Sequence, residues 1–284
     1  MSPYSIEGPA TISFSGGRTS AFMLHQIVDA HGGELPPNVV VLFANTSKER
    51  EETLRFVHNC GTHWGVPIVW LEWQRYKPKF RVVGYNSAAR SGEVFEALID
   101  TKQRPPNHMQ RYCTENLKVK TMMAYAAIEL GWSRYTEVIG LRHDEGWRIL
   151  KGLDRAKTDG RQIAYPLARA KVTKADVMTF WSKQPFDLGL RPWEGNCDLC
   201  FLKGRKIRER IIRDDPSTAV WWDKQENTPR GGEGVTGWFD KEVSYAELSE
   251  YVERSPLLFE DEPASGDYDV ECGLSCAPYR EAAE

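Results

Sequence analysis

The sequence predicts an α/β fold: a parallel sheet with helices on both faces, followed by a mainly helical C-terminal region. Three observations carry this. Apolar, β-branched runs recur in the first half, notably NVVVLFAN at 38–45 and PIVWLEW at 67–73. Segments of helical period stand between them. The alternation then fades after Leu150. Strands covered on both faces read as unbroken apolar runs, and alternating strand and helix patterns mark crossover units of a parallel sheet.

Taken in order, residues 11–14 form the first strand, and SGGRTS turns into a helix with Phe22, Met23, Ile27 and Val28 at helical spacing and Gly32-Gly33 as its stop. Strand 38–45, helix 51–64 and strand 67–73 follow. Residues 75–92 have no period and read as a loop. A helix over 114–130 leads to a strand over 135–141. TKADVMTFWSKQ at 173–184 is a short helix with Thr173 as N-cap and Asp176 three residues on. Residues 191–200 are a loop, with Pro192 and Gly195 supporting a turn. KGRKIRERIIRDD and STAVWWDKQ are helical, RGGEGVTG at 230–237 is flexible by composition, and 244–255 is amphipathic. The tail is acidic, from Glu260 to Glu271. There are no internal repeats. The expected division is 1–185, an α/β domain, and 186–284, a helical region with a cysteine-bearing tail.

The 284 residues carry a net charge of −3, which gives no global attraction to nucleic acid. The start, MSPYSIEGPA, has neither a basic opening nor an apolar run, and no segment reaches membrane-spanning length. The expectation is a cytoplasmic protein without a membrane partner. The six cysteines, Cys60, Cys113, Cys197, Cys200, Cys272 and Cys276, are then read as ligands or redox groups rather than disulfides. The sequence is compatible with a homo-oligomer.

Chemistry concentrates in two places. The stretch Ser15-Gly16-Gly17-Arg18-Thr19-Ser20 lies between a strand and a helix. The first N–H groups of a helix lack internal partners and carry partial positive charge, and glycines let a phosphate come close. The hydroxyls of Ser15, Thr19 and Ser20 and the fork of Arg18 add donors. The stretch matches neither a Walker P-loop nor the dinucleotide fingerprint, and a plain tight turn is the competing reading. Arg142 follows a strand end, where ligands of open α/β sheets gather, so it is read as a phosphate or sulfate ligand or as an ion-pair partner of Asp144 or Glu145. The second place is Cys197-Asp-Leu-Cys200, a spacing that aims two sulfurs at one metal centre and suits a zinc half-site, a redox pair or part of a cluster. Cys60 sits within a helical pattern and reads as a small buried hydrophobe.

SGGRTS resembles the PP-loop of the adenine-nucleotide α-hydrolase superfamily, written SGGxDS. Within that superfamily the chain is similar to the sulfonucleotide reductases, which act on phosphoadenylyl or adenylyl sulfate. FANTSKEREETLRFV, RYCTENLKV, VIGLRHDEGWR, YPLARAKVTKADVMTFW and ECGLSC carry this resemblance in the expected order, over most of residues 10–200 plus the tail. It implies an adenine-nucleotide α-hydrolase-like fold over 1–185, with the nucleotide on residues 15–20. It also implies a 4Fe-4S cluster. Cys113, Cys197 and Cys200 match three of the four ligand positions, and Thr114 stands at the remaining one. A thiolate is needed there, so Cys272 becomes the fourth ligand and Cys276 the nucleophile, or the reverse. Four thiolates also suit zinc. Thr19 departs from the Asp of the PP-loop, and Ser275 from the His of the reductase tail.

KGRKIRERIIR, from Lys203, places six cations in eleven residues beside the cysteine pair. It reads as a solvated helix or as a phosphate-attracting surface. Trp193, Trp221 and Trp222 are read as packing, and His143 as a surface group. The resemblance thus implies a reductase that takes an adenine sulfonucleotide and a thioredoxin-like reductant. The alternatives are a PP-loop sulfurtransferase that uses ATP to thiolate tRNA or DNA, and a nucleotide- or cluster-binding protein without catalysis. Nucleic acid is the less favoured partner.

Overall fold

The computed structural model describes residues 2–191, 193–231 and 237–255. In chain order the elements are β1 (Ala10–Ser13), α1 (Arg18–Ala30), β2 (Val39–Asn45), α2 (Glu51–Trp64), β3 (Ile68–Trp73), β4 (Phe80–Val83) and α3 (Glu93–Lys102). A π-helical segment, Thr114–Lys120, runs on into α4 (Thr121–Ile128). Then come β5 (Thr136–Ile139), a 3-10 turn at His143–Glu145, α5 (Gly146–Thr158), β6 (Gln162–Ala164), α6 (Pro166–Arg169) and α7 (Lys174–Trp181). The C-terminal helices are α8 (Arg205–Asp214), α9 (Ser217–Asn227) and α10 (Tyr245–Arg254).

The strands form one sheet in the order β4-β3-β2-β1-β5-β6. All neighbours are parallel except β3 and β4, so the α/β class holds with one antiparallel edge. β1 lies at the centre, where Ile12 pairs with Val41 on one side and Val138 on the other. Every β1 residue is buried, which explains its unbroken apolar reading. The β4 edge lies inside the stretch read as a loop. Its run is short, with Phe80 buried and Arg81 and Val82 exposed. Arg81 donates from Nε to Glu72 at 2.7 Å, a charged edge of the kind that discourages further strand pairing.

Two smaller apolar clusters, around Leu71 and Phe80 and around Leu141 and Tyr165, accompany two large cores among the described residues. One lies around the central strands with α1, α2 and α7, including Ile12, Phe43, Val57 and Trp181. The other is built from α3 and the C-terminal helices, including Phe95, Leu199, Phe201, Trp222, Phe239 and Tyr245. Cys200 belongs to this second core, and Cys113 and Cys197 pack against it. Among the described residues no helix is long and apolar enough to cross a membrane.

The second core also holds a titratable group. Glu226 is buried and accepts the N–H groups of Phe239 (2.9 Å) and Tyr245 (2.8 Å). Burial is the main cause that raises its carboxyl to about 7. An unfolded glutamate titrates near about 4.3. Between those values the folded chain therefore holds a proton that the unfolded chain has lost, so Glu226 lowers stability as pH rises through this window. In melting curves from pH 5 to 8, Glu226→Gln is expected to remove this part of the decline. Wild type and variant falling in parallel would refute it.

Candidate functional site

The chain leaves β1 toward β2 on one side, while β5 lies on the other. This reversal opens a crevice at the carboxyl ends of the strands, the place where open α/β sheets bind ligands. Three connections line it: 14–17 after β1, 46–50 after β2 and 140–145 after β5.

The first connection is the glycine turn. Gly16 has φ +78, and a Cβ there would lie 2.7 Å from Cγ2 of Thr53 on α2. The position needs glycine for both conformation and space. Gly17 caps α1 in extended conformation, without a side-chain cap. Ser20 organises the turn: its hydroxyl accepts from Ser15 N (3.2 Å), pairs with Ser15 Oγ (2.9 Å) and donates to Gly17 O (3.0 Å). Arg18 points elsewhere, its guanidinium bound to Asp187 (2.7 and 2.5 Å) and to Leu190 O. The turn thus presents backbone N–H groups and hydroxyls, while the Arg18 charge is engaged by a carboxylate.

Gly140 follows β5 closely against α1, since a Cβ there would lie 3.1 Å from Cα of Ser20. That approach brings Arg142 to the turn, where its Nη1 donates to Thr19 Oγ1 at 3.1 Å. Arg142 is buried and also faces Asp144 (2.9 Å) and Glu145 (3.6 Å). Of the two roles read for Arg142 from the sequence, the ion pair is present, and the side chain also touches the turn. His143 lies exposed on the 3-10 turn.

The connection after β2 is bent by buried polar groups. Glu72 accepts from Asn45 Nδ2 (2.6 Å) and Ala89 N (2.7 Å), and Asn45 Oδ1 accepts Ser47 N (3.0 Å). Ser47 takes φ 66, a strained value for a residue with a Cβ. Its hydroxyl accepts Val94 N at 3.0 Å, supplying from a distance the cap that α3 lacks locally.

Onto this turn the cysteine loop is clasped. Arg50 N donates to Asn196 O (2.8 Å) and Asp198 N donates to Lys48 O (2.9 Å), making Glu49 and Cys197 an antiparallel pair. Residues so flanked are the close, non-hydrogen-bonded pair of an antiparallel ladder. Asn196 Nδ2 reaches the glycine turn itself, donating to Ser15 O at 2.8 Å. Lys48 pairs with Asp198 at 2.5 Å and lies 4.9 Å from the Trp221 ring centre. Asp198 also accepts Trp222 Nε1 (3.0 Å), and Lys203 Nζ donates to Cys197 O (2.6 Å). Trp221 and Trp222 are packing groups, as read from the sequence.

The Cys113 segment arrives at the same point. Lys118, buried on the π-helical segment, faces Glu49 at 3.5 Å, while the other oxygen of Glu49 accepts Thr46 N and Oγ1. Glu49 therefore joins the strand of Cys197 and the helix after Cys113. Cys113 and Cys197 are half-buried and Cys200 is buried. Soft thiolates are the right kind of donor for iron or zinc. Among the described residues, however, no three His, Cys, Asp or Glu side chains are gathered into a metal-holding group. Cys272 and Cys276, read as fourth ligand and nucleophile, lie outside the described residues. Cys60 is buried in the first core, and burial pushes its thiol well up, in accord with an inert role.

Lys48, Glu49, Lys118, Asn196 and Asp198 were not singled out from the sequence. The available signals were the polar TSKE run after the strand 38–45 and the Asn directly before the cysteine pair.

No family model matches the chain. It is 29% identical over 211 residues to nin region protein ORF290 of Escherichia phage lambda, described as uncharacterized, with 72% of this chain and 69% of that protein covered. Among solved structures, the U34-tRNA thiolase NcsA of Methanococcus maripaludis, with its 4Fe-4S cluster, aligns with 89% of this chain and 72% of its own. The identity is 10% and the TM-score 0.40. A likeness of that depth carries no argument about chemistry. The α/β class rests on the sheet order.

Two substitutions test this geometry. Asn196→Ala removes the bond to the glycine turn at a cost of about 1 kcal/mol, and should speed alkylation of Cys197 while leaving Cys60 unreactive. Unchanged Cys197 reactivity would contradict the clasp. Gly16→Ala should destabilise by about 1–3 kcal/mol in denaturant unfolding, and a neutral result would contradict the left-handed turn.

Proposed function

We propose that this chain is an adenine-nucleotide-dependent enzyme of the PP-loop type that performs sulfur transfer in the crevice at the end of its sheet. One observation carries the reading: the loop of Cys197 and Cys200 is bonded both to the glycine turn and to the turn after β2. Nucleotide phosphates would lie on the α1 N-terminus and the hydroxyls of Ser15, Thr19 and Ser20, with Arg142 set by Thr19. In such a reaction an acceptor oxygen attacks the α-phosphorus of ATP and pyrophosphate leaves. A sulfide-class nucleophile, supplied by a donor, then displaces AMP. The residues supply position and charge: Ser20 holds the turn, and the Glu49 pair sets the thiol segments beside it.

Cys113, Cys197 and Cys200, with Cys272 as the fourth, would hold a 4Fe-4S cluster, zinc being the alternative. A bound cluster would supply a site at which an anionic sulfur is held. Thiolates bring negative charge, and the buried Lys203, whose Nζ donates to Cys197 O, stands beside the pair, while Lys48 and Lys118 are matched by Asp198 and Glu49.

A second reading, reduction of an adenine sulfonucleotide, is favoured by α8. Four of its arginines are engaged: Arg205 with Glu209, Arg208 with Asp240, Arg210 with Asp214, and Arg213 with Ser255 O, while Lys206 is exposed. Such a helix is scaffold and offers little to a polyanion. In that reaction the Cys276 thiolate attacks sulfur, the nucleotide leaves, and a dithiol reductant releases sulfite.

The test is anaerobic purification, with iron and sulfide measured in wild type and in Cys113→Ser and Cys200→Ser, followed by product assays. The proposal predicts iron lost in both variants, pyrophosphate from ATP only with a nucleic-acid acceptor, and AMP with thiolated acceptor only when a sulfide source is added. Sulfite from a sulfonucleotide would replace transfer by reduction. Bound nucleotide without any product would remove both.

A further inference from the structure

A groove beside the Cys113 segment is not used by the site described above. It has a volume of about 360 Å³ and is lined by Lys102, Arg104, Arg111 and Arg155, with Tyr112 and Glu115. Four cations face one carboxylate, in a chain whose net charge is −3. That carboxylate is already matched: Glu115 pairs with Lys120 at 2.7 Å. Its carboxyl is held below the usual range, first by the Lys120 bond and then by the charges of Lys120, Arg155 and Lys102. The groove is thus a local concentration of positive charge. Arg155 also meets Asp159, one turn on, at 3.6 Å, and Lys102 lies 5.8 Å from the Tyr112 ring centre.

The groove continues onto α5. Trp147, Lys151 and Arg155 recur at every fourth residue and so share one stripe of that helix, about 12 Å long. Trp147 is 67% exposed, and Lys151 Nζ lies 4.5 Å from its ring centre. This exposed indole stands at the end of a cationic stripe. A charged groove that follows a backbone, with an aromatic face for a base, is how proteins hold single-stranded nucleic acid. An unstacked base is needed to cover an indole. At its inner end Tyr112 and Thr114 flank Cys113.

We propose that this groove and the Trp147 stripe bind a single nucleic-acid strand, phosphates on Lys102, Arg104, Arg111 and Arg155 and a base on Trp147, leading it toward Cys113. The inference deepens the sulfur-transfer reading by assigning the surface that holds its nucleic-acid acceptor, and rests on that reading only for the purpose of the strand.

The test is fluorescence anisotropy with a labelled single-stranded oligonucleotide, as RNA and as DNA, and with the matching duplex, across about 50 to 200 mM salt. No ATP, sulfide source or turnover is involved, so failure here leaves the nucleotide turn untouched, and failure of ATP binding leaves the groove untouched. Single strands should bind more tightly than duplex. The double change R104E and R155E should weaken binding at least about tenfold and lower the log–log salt slope by about 1.4 or more. Trp147 is exposed, so W147A gives a second variant that keeps the fold, and should weaken binding about fivefold or more. Arg254→Glu, at an exposed position on α10, should change nothing. Absence of binding, equal loss in the Arg254 variant, a preference for duplex, or equal competition by an acidic peptide would each overturn the proposal.

Discussion

The structure depends on the antiparallel clasp between the turn after β2 and the loop that carries Cys197 and Cys200. Two backbone bonds, Arg50 N to Asn196 O and Asp198 N to Lys48 O, fix its register. The rest of the loop is satisfied in turn: Cys197 O takes Lys203 Nζ, Leu199 O takes Tyr245 Oη, and Cys200 O takes Lys203 N. A partly buried loop is stable only when its carbonyls and amides find such partners. Here they come from Lys48, Arg50 and Ser15 on the turns of the sheet and from Lys203 and Tyr245 of the C-terminal region, so the loop ties the C-terminal helices to the crevice of the sheet.

Charge placement follows from that clasp. Glu49 is buried and tied by one oxygen to Thr46, while the other faces Lys118. Lys48 meets Asp198 and the face of Trp221. Buried ions need partners and hydrogen bonds at once, and these pairs give each ion its partner from a different segment. The charges therefore act as register marks, holding the π-helical segment after Cys113 and the loop of Cys197 against one turn. π-Helical insertions are uncommon and recur at functional sites. This one carries Lys118 to Glu49.

What was legible in the sequence was what local chemistry decides. β1, β2, β3 and β5 show as apolar runs because both faces are covered, and α7 shows its N-cap because Thr173 and Asp176 bond to each other within four residues. α3 escaped because its cap is the hydroxyl of Ser47, more than forty residues away. β4 and β6 are short edge strands that are largely not buried, and α5 exposes Trp147, Leu150 and Leu153, which blurs its core face. The glycine turn and the cysteine pair were visible as motifs. The residues that bring them together were not, because Asn196, Glu49 and Lys118 have meaning only through partners distant in the chain. Arg18 shows the converse: its place in the turn suggested an anion ligand, yet Asp187 takes its fork.

The central claim is that the glycine turn, the turn after β2 and the cysteine loop form one ligand-binding unit. Hydrogen exchange with and without ATP tests it directly. The account predicts that peptides covering 14–21, 46–50 and 194–200 gain protection together at the same ATP concentration. Protection confined to 14–21, with 46–50 and 194–200 exchanging as in the free protein, would contradict it.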